Sequence, residues 1–344
     1  MRTAWESKSG IATFSKIQHT LALAESNTKN PGASMKLHIT SRTASALILA
    51  LGLVLNARAV DIVAHGGASF DAPGGTLAAE RLAWEQKADV VASFIRLTAD
   101  GKIIVTHDGN VKHATGRDLV VENTTFDALR ALDAGALKSP RFAGEKLPTL
   151  EEQIALTPPG KRLLVEIKAG PEIVPELARC MERCKAGGHN VTFISFDYET
   201  LKAVRKKMPG VPLLYVVSYK KSDATKDKAG AATKTKDGAT AKAKPKSGPA
   251  PAAKNKSWTP PATQPATLDE AIALAKAAGF EGLDLQKTWP LDEADVRKIK
   301  DAGLQLHVWS INDPEEAKHW IALGATSITT DRPGWLREKL GLYQ

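Results

Sequence analysis

The stretch IVAHGGASFDAPGGTLAAERLAWEQKADVVASFI, residues 62–95, decides the reading of the fold. A short apolar run at 62–67 leads through a turn rich in Gly and Pro into a segment of helical period at 76–86, and a second apolar run follows at 89–95. Runs of strand length separated by a helical pattern mark a βαβ unit, and hence parallel strands. The alternation continues outward from this unit. Further strands are expected at 163–168, 191–196, 212–217, 282–285, 306–310 and 327–330, with helices at 149–156, 171–185, 198–208, 268–278, 291–302 and 314–323. Eight strands with helices between them predict an α/β fold of the (β/α)8 TIM barrel type, with a doubly wound sheet as the structural alternative.

One segment breaks the alternation. Thr98-Ala99-Asp100-Gly101 is a tight turn between two apolar runs, so residues 102–108 must return antiparallel beside the strand they leave. Counting back from a four-residue turn pairs Leu97 with Lys102 and Ala92 with His107, which brings His107 toward Ala92.

Composition bounds the rest. The chain has 344 residues, 43% hydrophobic and 25% charged, enough for a large core. Its formal charge of +9 is not spread over the fold, because residues 220–256 hold eleven Lys and three Asp. The remainder is near neutral, which argues against nucleic-acid binding by the domain. The 220–256 tract has almost no large apolar side chains and reads as a disordered insertion, either a solvated spacer or an attachment to an anionic envelope surface.

Residues 35–59 read as a signal peptide: Lys36, His38 and Arg42 precede the apolar run 44–55, and Ala57-Arg58-Ala59 supplies a cleavage pattern. That run is too short to span about 30 Å of hydrocarbon, so the mature chain, 60–344, is expected to be secreted or periplasmic without an integral membrane span. Residues 1–34 read as an upstream extension with no function. Cys180 and Cys184 lie one turn apart and read as two thiols, with a strained local disulfide as the alternative.

In a (β/α)8 barrel the C-terminal strand ends converge on one mouth, so polar residues there are site candidates. His65 ends the first strand, His107 the returning one, Glu166 and Lys168 the strand 163–168, and Trp309 the strand 306–310, with the 331–333 segment completing the ring. Two imidazoles at one mouth suit acid and base roles near neutral pH, since an unperturbed ring titrates near ~6.5.

The motifs His65-Gly66-Gly67, Pro73-Gly74-Gly75-Thr76, Ala88-Asp89 through Asp100-Gly101, His107-Asp108, Glu166-Ile167-Lys168, Ser195-Phe196, Val308-Trp309-Ser310-Ile311-Asn312 and Thr330-Asp331-Arg332-Pro333 follow one another in order. In this the chain resembles the glycerophosphodiester phosphodiesterase family, barrels of the PLC-like phosphodiesterase type. The resemblance implies hydrolysis of a small phosphodiester to an alcohol and glycerol 3-phosphate, with His65 and His107 as the catalytic pair, Lys168 and Trp309 as substrate contacts, and Glu166 as a ligand of a divalent cation, calcium or magnesium. The departures are equally specific. The family's Glu-x-Asp is replaced by Ala92-Ser93-Phe94, neither of whose outer residues can ligate a hard cation. Gly67 is read in place of the opening motif's Arg, and Gly74 and Gly75 replace the Glu and Asn of the second motif. Cation binding is therefore expected to be weak or absent, with Asp71, Asp108, Glu122 and Asp284 as candidates for a rebuilt site. A catalytically impaired barrel that binds phosphate or polyol, or acts as a scaffold, is the alternative to the hydrolase.

Overall fold

The computed structural model describes residues 60–184, 191–219 and 257–342. Residues 1–59, with the expected signal peptide, and the 220–256 insertion lie outside the described residues. Eight parallel strands form the sheet: β1 (Asp61–His65), β2 (Val90–Leu97), β4 (Arg162–Ile167), β5 (Val191–Ser195), β6 (Leu213–Val217), β7 (Gly282–Gln286), β8 (Gln305–Trp309) and β9 (Ser327–Thr330), with β3 (Ile103–Val105) antiparallel beside β2. β1 pairs with β2 on one side and with β9 on the other, which closes the sheet into a barrel. Closure excludes the doubly wound alternative. Among the described residues, no helix is long and apolar enough to cross a membrane.

The helices start where short polar side chains can take the free backbone N–H groups. The Thr76 hydroxyl accepts from Ala79 N at the head of the helix Leu77–Glu85, and Thr149 forms a capping box with Glu152 ahead of Leu150–Leu156. The Asp313 carboxylate accepts from Glu315 N and Glu316 N before Pro314–Leu323. Each such helix packs its apolar face on the sheet, forming an outer layer with Ile62, Leu163, Phe193, Leu201 and Leu213 at its centre. Burying side chains of this size contributes about 1.5–3 kcal/mol each. A smaller apolar group fills the barrel itself: Val63, Val90, Ala92, Leu164, Ile194, Leu214 and Val216.

The hairpin after β2 exists as expected, but its register differs by one residue. Leu97 pairs with Ile103, and Thr98 N donates to the Lys102 carbonyl at 2.9 Å. The loop is therefore the three residues Ala99-Asp100-Gly101, closed by the Thr98 hydroxyl accepting from Lys102 N, with Gly101 at φ +73° where a side chain would be strained. As a result Thr106 is opposite Phe94, with Thr106 N donating to the Phe94 carbonyl, and the His107 ring that follows lies against the Phe94 ring. Residues 106–148 then cross one edge of the mouth as short helical turns over their own small core, with Ile104, Val121 and Leu129 buried in it.

Candidate active site

Strand register sets the level of each side chain at the mouth. His65 is opposite Ala92, Ala92 opposite Leu164, and Phe94 opposite Glu166. The His65 and His107 rings stand 5.9 Å apart, centroid to centroid, and Phe94 lies against both, at 5.1 Å from His65 and 4.6 Å from His107. The expected histidine pair is thus assembled, with an aromatic wedge beside it.

Each imidazole is anchored through Nδ1. His65 Nδ1 donates to Asp331 Oδ1 at 2.9 Å, and Asp331 also accepts from Ser69 Oγ and from Asn312 Nδ2. These bonds, that from His65 foremost, hold the Asp331 carboxyl down at about 2, so it is a carboxylate at any working pH. His107 Nδ1 donates to Asp108 Oδ1 at 2.7 Å. Nε2 is then the nitrogen each ring offers to a substrate. Half of the His107 side chain faces solvent, yet burial of its inner edge lowers its pKa, and the Lys168 ammonium pushes the same way against the opposing pull of Asp108. A neutral ring at pH 7 follows. Behind it, the buried Arg96 guanidinium donates twice to the His107 carbonyl, at 3.2 and 3.0 Å, and is itself held by Glu122.

Below the histidines, Lys168 Nζ donates to Glu166 Oε1 at 2.7 Å, and both side chains are about nine-tenths buried. The ammonium also lies 5.3 Å from the centre of the Phe94 ring, within cation–π range. Trp309 packs edge-on against Phe196 at 5.7 Å and donates from Nε1 to the Asp284 carbonyl. Two cavities meet at the histidines. The outer one, about 490 Å³, is walled by Ser69, His113, Leu137 and Lys138; the inner one, about 240 Å³, is lined by Glu166, Lys168, Asp284, Trp309 and Thr329. His65, Phe94 and His107 border both.

The profile of the Glycerophosphoryl diester phosphodiesterase family matches residues 65–335, from the first histidine to the segment past Asp331. The chain belongs to this family. A glycerophosphodiester phosphodiesterase of Bacillus subtilis is 25% identical over 299 residues, covering 82% of this chain and 87% of that protein. One from Caldanaerobacter subterraneus is 34% identical over 161 residues, covering 45% of this chain and 66% of its own. Among solved structures, a phosphodiesterase of Oleispira antarctica in complex with the product sn-glycerol-3-phosphate superposes with a TM-score of 0.63 at 21% identity, covering 82% of this chain and 96% of that one. At that identity the likeness is one of fold.

The divalent cation that the family resemblance implies does not fit the residues present. Among the described residues, no three His, Cys, Asp or Glu side chains converge as a ligand group. Glu166 is taken by Lys168, and the Phe94 ring is a neighbour of that ammonium instead of a second carboxylate. The four candidates for a rebuilt site are dispersed. Asp71 accepts from Gln86 Nε2, Asp108 from His107, and Glu122 from Arg96, while Asp284 is buried inside the barrel.

One sequence reading requires correction. Gly67 cannot stand for the missing arginine, because its φ is +82° and a Cβ there would lie 2.4 Å from the carbonyl carbon of Ala79. The residue bordering the mouth is Gly66, also at positive φ (+63°), where a Cβ would meet Gly75 N at 3.3 Å and Phe94 at 3.4 Å, without the collision found at Gly67. Cys180 and Cys184 are free thiols, Cys180 buried. Arg96 and Thr329 were not anticipated. A buried Arg in the middle of an apolar strand was the available signal for the first, whereas a Thr in Ser327–Thr330 carries none.

Proposed function

We propose that this barrel is a glycerophosphodiester phosphodiesterase that uses its histidine pair without a metal ion. The observation that carries the reading is the pair itself: two imidazoles 5.9 Å apart, each oriented by a carboxylate on Nδ1, at the junction of two cavities. In-line displacement at phosphorus puts the attacking and leaving oxygens on opposite sides, so a base and an acid are required on opposite sides as well. His107, neutral at pH 7, takes the proton of an attacking water. His65, backed by the Asp331 carboxylate, gives a proton to the departing alkoxide. The phosphoryl charge is met by Lys168, a point cation held in place by Glu166 and Phe94. The outer cavity receives the alcohol.

Export fits the same reading: cleavage near Ala59 would place the barrel outside the cytoplasm, and the lysine-rich tract 220–256 would hold it to an anionic envelope surface. The test is release of alcohol and glycerol 3-phosphate from glycerophosphocholine in the presence of EDTA. Replacing either histidine, as His65→Ala or His107→Ala, is expected to lower kcat by about 100-fold or more. Turnover untouched by both changes would remove the assignment, and a folded wild-type barrel that binds glycerol 3-phosphate without turnover would support the non-catalytic reading instead.

A further inference from the structure

The acid–base chemistry does not by itself explain what holds His107 in place. The residue lies past the end of β3 and half of its side chain faces solvent, so its position over the barrel must come from contacts of the chain around it. Arg96 reaches it from the barrel. This side chain on β2, 5% exposed, sends two of its donors to the His107 carbonyl, at 3.2 and 3.0 Å. A guanidinium is a planar fork, which fixes the group it grips in direction as well as in distance.

Arg96 is in turn held from its far side. Glu122 Oε1 accepts from Arg96 Nη1 at 3.0 Å, and a third segment closes on that carboxylate. Trp258 N donates to Glu122 Oε1 at 3.2 Å, while Ser257 Oγ lies 3.4 Å from the same oxygen and 3.5 Å from Arg96 Nη1. Ser257 and Trp258 open the arm 257–265, which follows the lysine-rich tract and leads to the helix Leu268–Ala277. The other end of the arm is tied as well. Gln264 Nε2 donates at 2.8 Å to the carbonyl of Phe196, whose ring packs edge-on against Trp309. The arm thus joins the lobe that carries His107 to the barrel rim just past β5. Gly109 shows how closely it is seated: a Cβ there would lie 1.5 Å from Ser257 Oγ and 2.7 Å from Ser257 Cβ.

We propose that the arm 257–265 braces the general base, with Arg96, Glu122, Ser257 and Trp258 as positioning residues that act on catalysis through the His107 backbone. The inference rests on the phosphodiesterase reading for its effect on rate, and on the contacts alone for the brace. Displacing the arm loosens the carboxylate, then the guanidinium, then the imidazole that takes the proton of the attacking water. Substrate binding, which Lys168 and the two cavities provide, stays as it is.

The experiment uses the full chain and compares Gly109→Ala with Gly109→Ala/Ser257→Gly. The first change pushes Ser257 off its seat; the second removes the side chain that is struck. Gly109→Ala is expected to lower kcat for glycerophosphocholine about tenfold with KM changed by less than about twofold, since a small misplacement of a reacting group slows chemistry and spares binding. It should also move the His107 Cε1 proton resonance, which senses the Phe94 ring 4.6 Å away. The double variant should recover most of both. An unchanged kcat, an unmoved resonance, a rise in KM in place of the fall in kcat, or a loss that Ser257→Gly does not recover would each overturn the brace. Should Gly109→Ala not fold, Trp258→Pro, which removes the N–H that Glu122 accepts, takes its place, and the same fall in kcat is required. A wild type without turnover retires the catalytic reading, and the brace is then decided by the resonance alone: moved in the single variant and recovered in the double, it stands; unmoved, it falls.

Discussion

At the scale of single residues, the mouth of this barrel shows how a few substitutions change which charge a site can hold. A carboxylate pair on β2 would need a cation between it and Glu166; Ala92 and Phe94 need none, and the Lys168 ammonium meets both Glu166 and the Phe94 ring. A buried amine is accommodated because a carboxylate and an aromatic face replace its water. Wild-type protein titrated with calcium is accordingly expected to give no stoichiometric heat at submillimolar concentrations, whereas the double variant Ala92→Glu/Phe94→Asp should gain binding, because hard cations need several oxygen ligands at once. Tight binding by the wild type would show that Lys168 yields its place. An added Gly66→Arg, strained by the φ of +63° there, would test whether the mouth accepts a guanidinium; at Gly67 a Cβ collides with the Ala79 backbone at 2.4 Å.

At the scale of elements, buried polar groups tie β2 to the helix Leu150–Leu156, and the end of that helix to Leu77–Glu85. Ser93 Oγ donates to Gln153 on Leu150–Leu156, while Glu80 on Leu77–Glu85 accepts from Trp84 Nε1 at 3.3 Å and from Thr157. Glu80 is fully buried, and its Oε2 lacks a partner among the described residues. Burial pushes its carboxyl up to about 8, so the folded protein keeps a proton that the unfolded chain releases above its ordinary value of 4.5. The sign follows: the contribution to stability is complete below 4.5 and is lost as pH rises to 8. The loss is on the order of a few kcal/mol, at roughly 1.4 kcal/mol per pH unit. Glu80→Gln should flatten this dependence, raising the denaturation midpoint at pH 9 relative to wild type but not at pH 5, as read by chemical denaturation at both values. Parallel curves for the two proteins would mean that Glu80 is ionised in its buried setting.

For the whole molecule, the distribution of charge separates the barrel from its insertion. The domain is near neutral apart from 220–256, which enters between β6 and the helix Leu268–Ala277, within one βα connection of the repeat. The eight parallel strands of the barrel are all formed by described residues. Deleting 222–254 is expected to leave the thermal midpoint and the circular dichroism spectrum unchanged, since the tract offers almost no large apolar side chains, and to abolish cosedimentation with vesicles containing an acidic phospholipid at low salt. Vesicle binding that survives the deletion would place the attachment on the barrel surface.

What the chain determined on its own was the repeat and the identity of the mouth residues. Eight apolar runs are interleaved with seven helical patterns, and strand ends in a parallel barrel have one common destination, so His65, His107, Glu166, Lys168 and Trp309 could be assigned to one site from position alone. Local pattern carried less about register: a three-residue loop and a four-residue turn share the same letters at 98–101, and the difference of one residue placed Thr106 opposite Phe94 and so took His107 off the level of Ala92. Only the tertiary structure decided the partners. Asp331 reaches His65 across 266 positions, Lys168 settles on Glu166 under an aromatic ring, and Asp284 and Thr329 border one hollow from strands that are not neighbours. The physical reason is that periodicity records which face of an element is buried, whereas the contacts inside a closed barrel depend on tilt, register and the space left by small residues such as Ala92.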